Sequence, residues 1–233
     1  MRPITSLITA LGASLFLAHT SFAASFDCAK AGTPMEKQIC SDPFVSELDE
    51  HLGRYYRVAQ QRLGRASECL RRDQRRWLRE ARNTCTTVEC LKQAYGLRLR
   101  ELEGFQPGAS TVESIELPAG PTLMWIFAPA EDAQAVPSGS SKPFAIEGIY
   151  IDESLHGPSV RTDDGEVYVI VPSMLFEGDP HGVLERLMSS RARVVVRGLL
   201  MDVAPDPRDY EDPAQTPKGH LDNRECIYLH TNG

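Results

Sequence analysis

From Phe44 onward, apolar residues recur every three or four positions. Phe44, Leu48, Leu52, Tyr55, Ala59 and Leu63 fall on one stripe, the pattern of a helix that faces a core. Ahead of that stripe, Thr33-Pro34-Met35-Glu36 combines an N-cap, a proline at the first helical position and a glutamate that closes a capping box. A short helix is therefore expected from Pro34 to about Cys40. Ser41-Asp42-Pro43 ends it and opens the longer one, which Gly64 closes. A third helix is expected from Ser67 to Asn83, with Leu70, Gln74, Trp77, Leu78 and Ala81 inward. Its outer face carries Arg71, Arg72, Arg75, Arg76, Arg79 and Arg82. Thr87 caps a fourth helix that turns Leu91, Tyr95, Leu99 and Leu102 inward. Short connections make these helices antiparallel neighbours. Residues 25–104 thus read as a small helical hairpin or bundle, of a size that commonly relies on covalent staples.

The texture changes after Gly104. Residues 105–142 hold five prolines and the run Ser138-Gly139-Ser140-Ser141, the composition of a linker, with one apolar segment, Thr122 to Phe127, able to dock as a strand. Residues 143–233 then alternate with period two. Strands are expected over Phe144 to Asp152, Ser159 to Thr162, Glu166 to Val171, Ala192 to Val203 and Glu225 to Thr231, with a helix over His181 to Ser190. Three strands, a helix and two strands is the order of a five-stranded OB-like barrel. The fold class expected is α+β in two domains: a disulfide-stapled helical bundle, then the OB-like barrel.

Composition adds a destination. Arg2, the apolar run Ile4 to Leu17 and the small-residue pattern Ser21-Phe22-Ala23 have the three-part form of a cleaved signal, so residues 1–23 read as signal peptide and the mature chain as starting near Ala24 or Ser25. The run is shorter than a bilayer span requires. Cys28 follows Ser25-Phe26-Asp27, which lacks the small residues that precede an acylated cysteine. The expected location is periplasmic or secreted, without a membrane anchor. The formal net charge is −7 and unevenly spread. From Ser25 to Gly104, 15 Lys and Arg oppose 12 Asp and Glu; from Phe105 onward, 9 oppose 20. The second half therefore offers a surface for a basic partner, although solubility alone explains it equally well. The loop from Ala204 to Arg224 is rich in acids and prolines, and Asp206, Asp209, Glu211 and Asp212 are its candidate partner-binding residues.

Six cysteines in an exported chain favour disulfides, although sequence alone allows 15 pairings. No short C-x2-C pair and no close histidine set suggests a metal, and no cofactor is expected. Nucleophile-elbow, Walker and zinc-protease motifs are absent from the sequence, which argues against an enzyme. The arginine face of the third helix has the residue type of a nucleic-acid contact. Export and the negative net charge oppose that role. Arg72, Arg76 and Arg79 are expected to pair with Asp73, Glu80 or acids of the second domain instead.

Several of these residues form a recognisable set. Phe26-Asp27-Cys28-Ala29-Lys30, Glu36-Lys37-Gln38-Ile39-Cys40, Leu48-Asp49 and Tyr55 lead it. Gln74-Arg75-Arg76-Trp77-Leu78, Arg82-Asn83, Cys85, Cys90-Leu91, Tyr95, Arg98 and Leu102 complete it. Residues 25–104 on this basis resemble the LprI-like lysozyme-inhibitor family. One departure is Arg82, which stands five residues after Trp77 where the family commonly has four. The resemblance implies a bacterial, exported, all-helical, non-enzymatic domain in which Asp27, Glu36, Trp77, Arg82, Leu91, Tyr95 and Arg98 are structural. It also implies bridges Cys28–Cys40 and Cys85–Cys90, which agree with cysteines flanking a short helix and a turn. Cys69 and Cys226 are left either to join the two domains or to stay as buried thiols. The partner implied is lysozyme or another peptidoglycan-associated protein. An envelope adaptor and an immunity protein against a peptidoglycan-targeting toxin are the alternatives.

Overall fold

The computed structural model describes residues 24–113, 115–118, 120, 122–129, 141–152, 157–170, 189–201, 216–222 and 224–231. The expected signal segment lies outside them, as does nearly all of the helix expected at His181 to Ser190.

Four α-helices follow the expected punctuation: α1 (Pro34–Ser41), α2 (Pro43–Arg62), α3 (Ser67–Glu80) and α4 (Val88–Glu103). At α1 the Thr33 hydroxyl accepts from the Glu36 N–H, while the Glu36 carboxylate accepts from the Thr33 N–H. At α2 and α4 the side chains of Asp42 and Thr87 accept from the N–H groups of Val45 and Cys90. Each such cap contributes about 1 kcal/mol by satisfying an N–H that the helix leaves open. The third helix stops three residues before the expected Asn83, and a 3-10 turn spans Arg82–Thr84. The Thr84 hydroxyl donates to the carbonyls of Glu80 and Ala81 and so takes over acceptors of the last turn.

All six cysteines are paired, as Cys28–Cys40, Cys85–Cys90 and Cys69–Cys226. The third pair joins α3 to the chain just before the last strand. Three disulfides suit an oxidising environment such as the periplasm or the extracellular space.

Seven strands form one mixed sheet among the described residues. They are β1 (Met124–Phe127), β2 (Ser141–Ile151), β3 (Ser159–Arg161), β4 (Val167–Val169), β5 (Arg193–Met201), β6 (Gly219–His220) and β7 (Ile227–Thr231). Their order is β1-β7-β5-β2-β3-β4-β6, an open sheet where the sequence pattern predicts five strands closed into a barrel. Two features produce the difference. The apolar segment before Ala128 docks as β1, antiparallel to β7, and extends the sheet at that edge. The expected last strand is also preceded by a separate piece: β6 runs parallel to β4, Leu221 then bridges Leu200 of β5, and the chain returns along β5 as β7. At Gly148 the strands β2 and β3 approach closely. A Cβ there would stand 2.3 Å from the Arg161 carbonyl oxygen, so only glycine lets β2 pass β3 at this point.

The sheet edge at β1 and β7 is shared by two cores. Alternation sends Trp125 and Phe127 of β1, with Ile227 and Leu229 of β7, into a core with Ile146, Tyr150, Val160, Val194 and Val196. The intervening Met124, Ile126 and Tyr228 join Leu48, Leu70, Leu91, Leu99 and the other buried residues of the helices. Part of the Pro-rich stretch also belongs here. Phe105, Ala109, Val112 and Leu117 are buried in the helical core, so the chain after α4 is packed rather than a free connector. Fully burying one such large side chain contributes about 1.5–3 kcal/mol.

The disulfides should differ in their effect on stability. Cys69 and Cys226 are 157 residues apart, against 5 for Cys85 and Cys90. In the chain-entropy picture these loops correspond to about 5 and about 2 kcal/mol. Replacing Cys69 and Cys226 together by serine should lower the urea midpoint more than the same change at Cys85 and Cys90. Equal midpoints for the two variants would contradict this.

Candidate functional site

Asp27 caps the short 3-10 turn Cys28–Lys30 by accepting from the Ala29 N–H. Glu36 closes the capping box of α1. Trp77 meets the Tyr95 ring edge-on at 5.3 Å. Tyr95 is fully buried and donates its hydroxyl to Asp49 at 2.5 Å. Burial, and then the Asp49 charge, push its phenol well above its ordinary value. Asp49 also accepts from the backbone N–H and the hydroxyl of Ser25, tying the start of the described chain to α2. Leu91 is fully buried, and Arg82 donates to Asn83.

Arg98 organises a polar network inside the molecule. Its side chain is 1 % exposed. The guanidinium donates to Asp73 and Glu101 at 2.6 Å each and to Gln74 at 2.9 Å. Burial opposes the arginine's charge, but Asp73 and Glu101 outweigh it and strengthen its hold on the proton. Asp73 pairs with Arg76 as well. Glu101 continues to His230 of β7, with Nδ1 at 3.4 Å, and His230 Nε2 stands 2.8 Å from Arg197 Nη2 of β5. Since arginine can only donate, Nε2 accepts, which leaves the ring proton on Nδ1 facing Glu101. Burial would raise the Glu101 carboxyl; Arg98 and His230 override it and hold it at about 2. The expected pairing of the arginine face is present too, in Arg72 with Glu225, Arg76 with Asp73 and Arg79 with Glu80.

A separate groove of about 660 Å³ lies between α2 and the return at residues 106–113. Glu103 shapes that return by accepting from the N–H groups of Gly108 and Ser110 and from the Ser110 hydroxyl. Gly108 is needed there. Its φ is +83°, and a Cβ would stand 3.2 Å from the Tyr55 hydroxyl. Exposed Glu47, Glu50 and Glu113 line the groove together with Arg54, Tyr55 and Val58. His51 forms its base. The ring is stacked on Tyr55 at 4.4 Å, with Nε2 3.1 Å from the Ala109 carbonyl and Nδ1 3.1 Å from Arg54 Nη2. The Ala109 carbonyl needs a donor and Arg54 is one, so Nε2 carries the only ring proton. Burial, helped by Arg54, keeps the imidazole's proton affinity below its ordinary value, against the pull of Ala109. The lining therefore presents three carboxylates against one guanidinium and a neutral histidine.

Of the acidic candidates named from sequence, Asp206, Asp209, Glu211 and Asp212 lie outside the described residues. No motif or periodicity in the sequence marks Glu47, Glu50 and Glu113 as neighbours. Only the fold of the chain after α4 brings Glu113 beside α2. Among the described residues no cluster of three or more His, Cys, Asp or Glu could hold a metal ion, and no helix is long and apolar enough to cross a membrane. No protein-family model, curated protein or solved structure matches this chain.

The Glu101 contacts set an acid limit on stability. Its folded-state carboxyl is held at about 2, below the ordinary 4.5. Its contribution is therefore present above pH 4.5 and is lost as the pH falls toward 2. Glu101→Gln should lower the urea midpoint at neutral pH and flatten its decline over that window. An unchanged acid slope in the variant would show that other groups govern it.

Proposed function

We propose that this chain is an exported, non-enzymatic binding protein whose acidic groove engages a basic protein, with lysozyme or another peptidoglycan-associated protein as the first candidate. The observation that carries this reading is the groove itself. Three exposed carboxylates, a tyrosine and the exposed Val58 surround a histidine kept neutral, on a helical unit held by two short-range disulfides. Complementary charge of this kind accelerates encounter and selects partners more than it adds affinity. The resemblance of residues 25–104 to the LprI-like lysozyme-inhibitor family favours the same class of partner. The structural positions of Glu36, Tyr95 and Arg98 are compatible with it.

A second reading, an envelope adaptor, gains support from the sheet. The antiparallel pairs β2–β3, β3–β4 and β2–β5, the parallel pair β4–β6 and the Leu200–Leu221 bridge are the neighbour relations of an OB-like barrel. On this reading residues 143–233 are an OB-like domain carrying β1 and β7 as additions, and they hold a protein or glycan. Cleavage of residues 1–23 as a signal peptide belongs to both readings, and the disulfides favour it.

Purified, disulfide-intact protein should lower the cell-wall hydrolysis of at least one lysozyme type at near-stoichiometric amounts. Glu47→Lys, Glu50→Lys and Glu113→Lys combined should slow association about tenfold or more at low salt. Absence of inhibition and binding at large excess, across several lysozyme types, would remove the inhibitor reading. Inhibition that survives the triple substitution unchanged would move the contact away from the groove.

A further inference from the structure

Two recesses meet where α3 crosses the sheet. The inner one, about 210 Å³, is lined by Arg76, Trp77, Arg98, Arg197 and His230 with the acids around them. The outer one, about 470 Å³, passes over Pro143, Phe144, Leu199 and Tyr228. Arg76 and Arg197 line both, so the recesses form one cleft with an apolar end and a charged end, where three arginines stand beside three acids.

The donors at the inner end are not all used. Arg98 engages its Nη1 and Nε, but Nη2 is buried with no hydrogen-bond partner among the described residues. Arg197 gives Nη2 to His230, and its Nε is likewise buried and unpartnered. A buried donor left open costs about 1–3 kcal/mol, more when charged, so two on one recess mark a place where an acceptor fits. The recess acids do not fill that place. Asp73 is held by Arg98 and Arg76, Glu101 by Arg98 beside His230, and Glu80 by Arg79. Arg76 and Arg197 meanwhile repel one another across the recess, and Asp73, Glu101 and Glu80 offset only part of that repulsion. Burial, and then the Arg76 charge, weaken the hold of Arg197 on its proton.

An anion beside Arg197 that also reaches Arg98 Nη2 satisfies the open donors and eases the repulsion between Arg197 and Arg76. Asp73, Glu80 and Glu101 close by disfavour a second negative charge, which selects a monoanion over a phosphate dianion. Guanidinium forks fit a carboxylate's two oxygens. At the outer end, Phe144 is one of two large apolar side chains with substantial exposure among the described residues. It offers a contact for an apolar group.

We propose that this cleft binds a small molecule or chain end that joins a single carboxylate to an apolar body. The carboxylate lies between Arg76 and Arg197, within reach of Arg98, and the body lies over Phe144, Pro143 and Leu199. A fatty acid and a peptide C-terminus with an apolar last residue share this chemistry.

The disulfide-intact protein is titrated, with two-dimensional NMR detection, against octanoate, N-acetylphenylalanine and octanamide. At least one carboxylate should shift resonances of the Arg76, Arg197 and Phe144 surroundings with millimolar or tighter affinity. Octanamide should bind about tenfold more weakly or worse, for want of charge-assisted hydrogen bonds. Preference for octanoate identifies an aliphatic acid as the ligand type; preference for N-acetylphenylalanine identifies a peptide terminus. Arg197→Gln and Phe144→Asp should each weaken binding about tenfold. Phe144→Asp changes an exposed position and so decides the matter even if Arg197→Gln fails to fold. Equal binding of octanamide and octanoate, no binding of either carboxylate, or undiminished binding by Phe144→Asp would overturn the proposal.

Discussion

A guanidinium without access to water must be met by fixed acceptors, and Arg98 imposes that requirement on half the molecule. Removing an arginine and its partners from water costs several kcal/mol, which the mutual attraction recovers only in good geometry. Asp73 and Gln74 supply that geometry from α3, and Glu101 supplies it from α4 itself. Glu101 then reaches His230 on β7, and His230 reaches Arg197 on β5. One charge thereby sets the rotation of α3 and α4 and the side of the sheet that they face. Replacing buried ion pairs by apolar residues is often neutral or stabilising, so the network is weak evidence of net stability, whereas removing one partner alone leaves an uncompensated charge.

The apolar contacts follow the same plan. β1 and β7 alternate their side chains between two cores, so neither the helices nor the remaining strands have a complete core without them. Around the polar network, Tyr228 donates to the Cys69 carbonyl, Arg76 lies 5.0 Å over the Tyr228 ring, and the Cys69–Cys226 bridge stands beside both. Covalent, aromatic and ionic contacts converge on the same few residues of α3 and β7.

Local signals made the helices legible. Caps at Thr33, Asp42 and Thr87 and the three-to-four spacing of apolar residues place α1, α2 and α4 almost to the residue, because those forces act within a turn or two. The strands at β2, β3, β4 and β5 were legible from alternation for the same reason. Closure and strand count were not, since they depend on where separate segments meet. Nothing local announces that β1 will lie on β7, or that the chain will leave β4 for β5 at Leu221. Asp73 and Arg98 show the same limit from the side of chemistry. Asp73 reads as one charge in a solvated helix and Arg98 as a motif residue, and only tertiary packing makes them a buried pair. The groove depends in turn on residues 105–118, whose prolines and glycines suggest a connector but whose Phe105, Ala109 and Val112 anchor it.

The dependence of the helical core on β7 has a consequence for how the chain is made. A polypeptide that emerges N-terminus first presents α1 to α4 well before Cys226 and Tyr228, which complete their core from far along the chain. Until then Leu70, Leu99 and their neighbours lack part of their cover, and Glu101 lacks His230. The helices can gather, but their final packing waits until β7 has emerged. The interval before that is when Cys69 has no native partner and is most open to pairing with a wrong thiol.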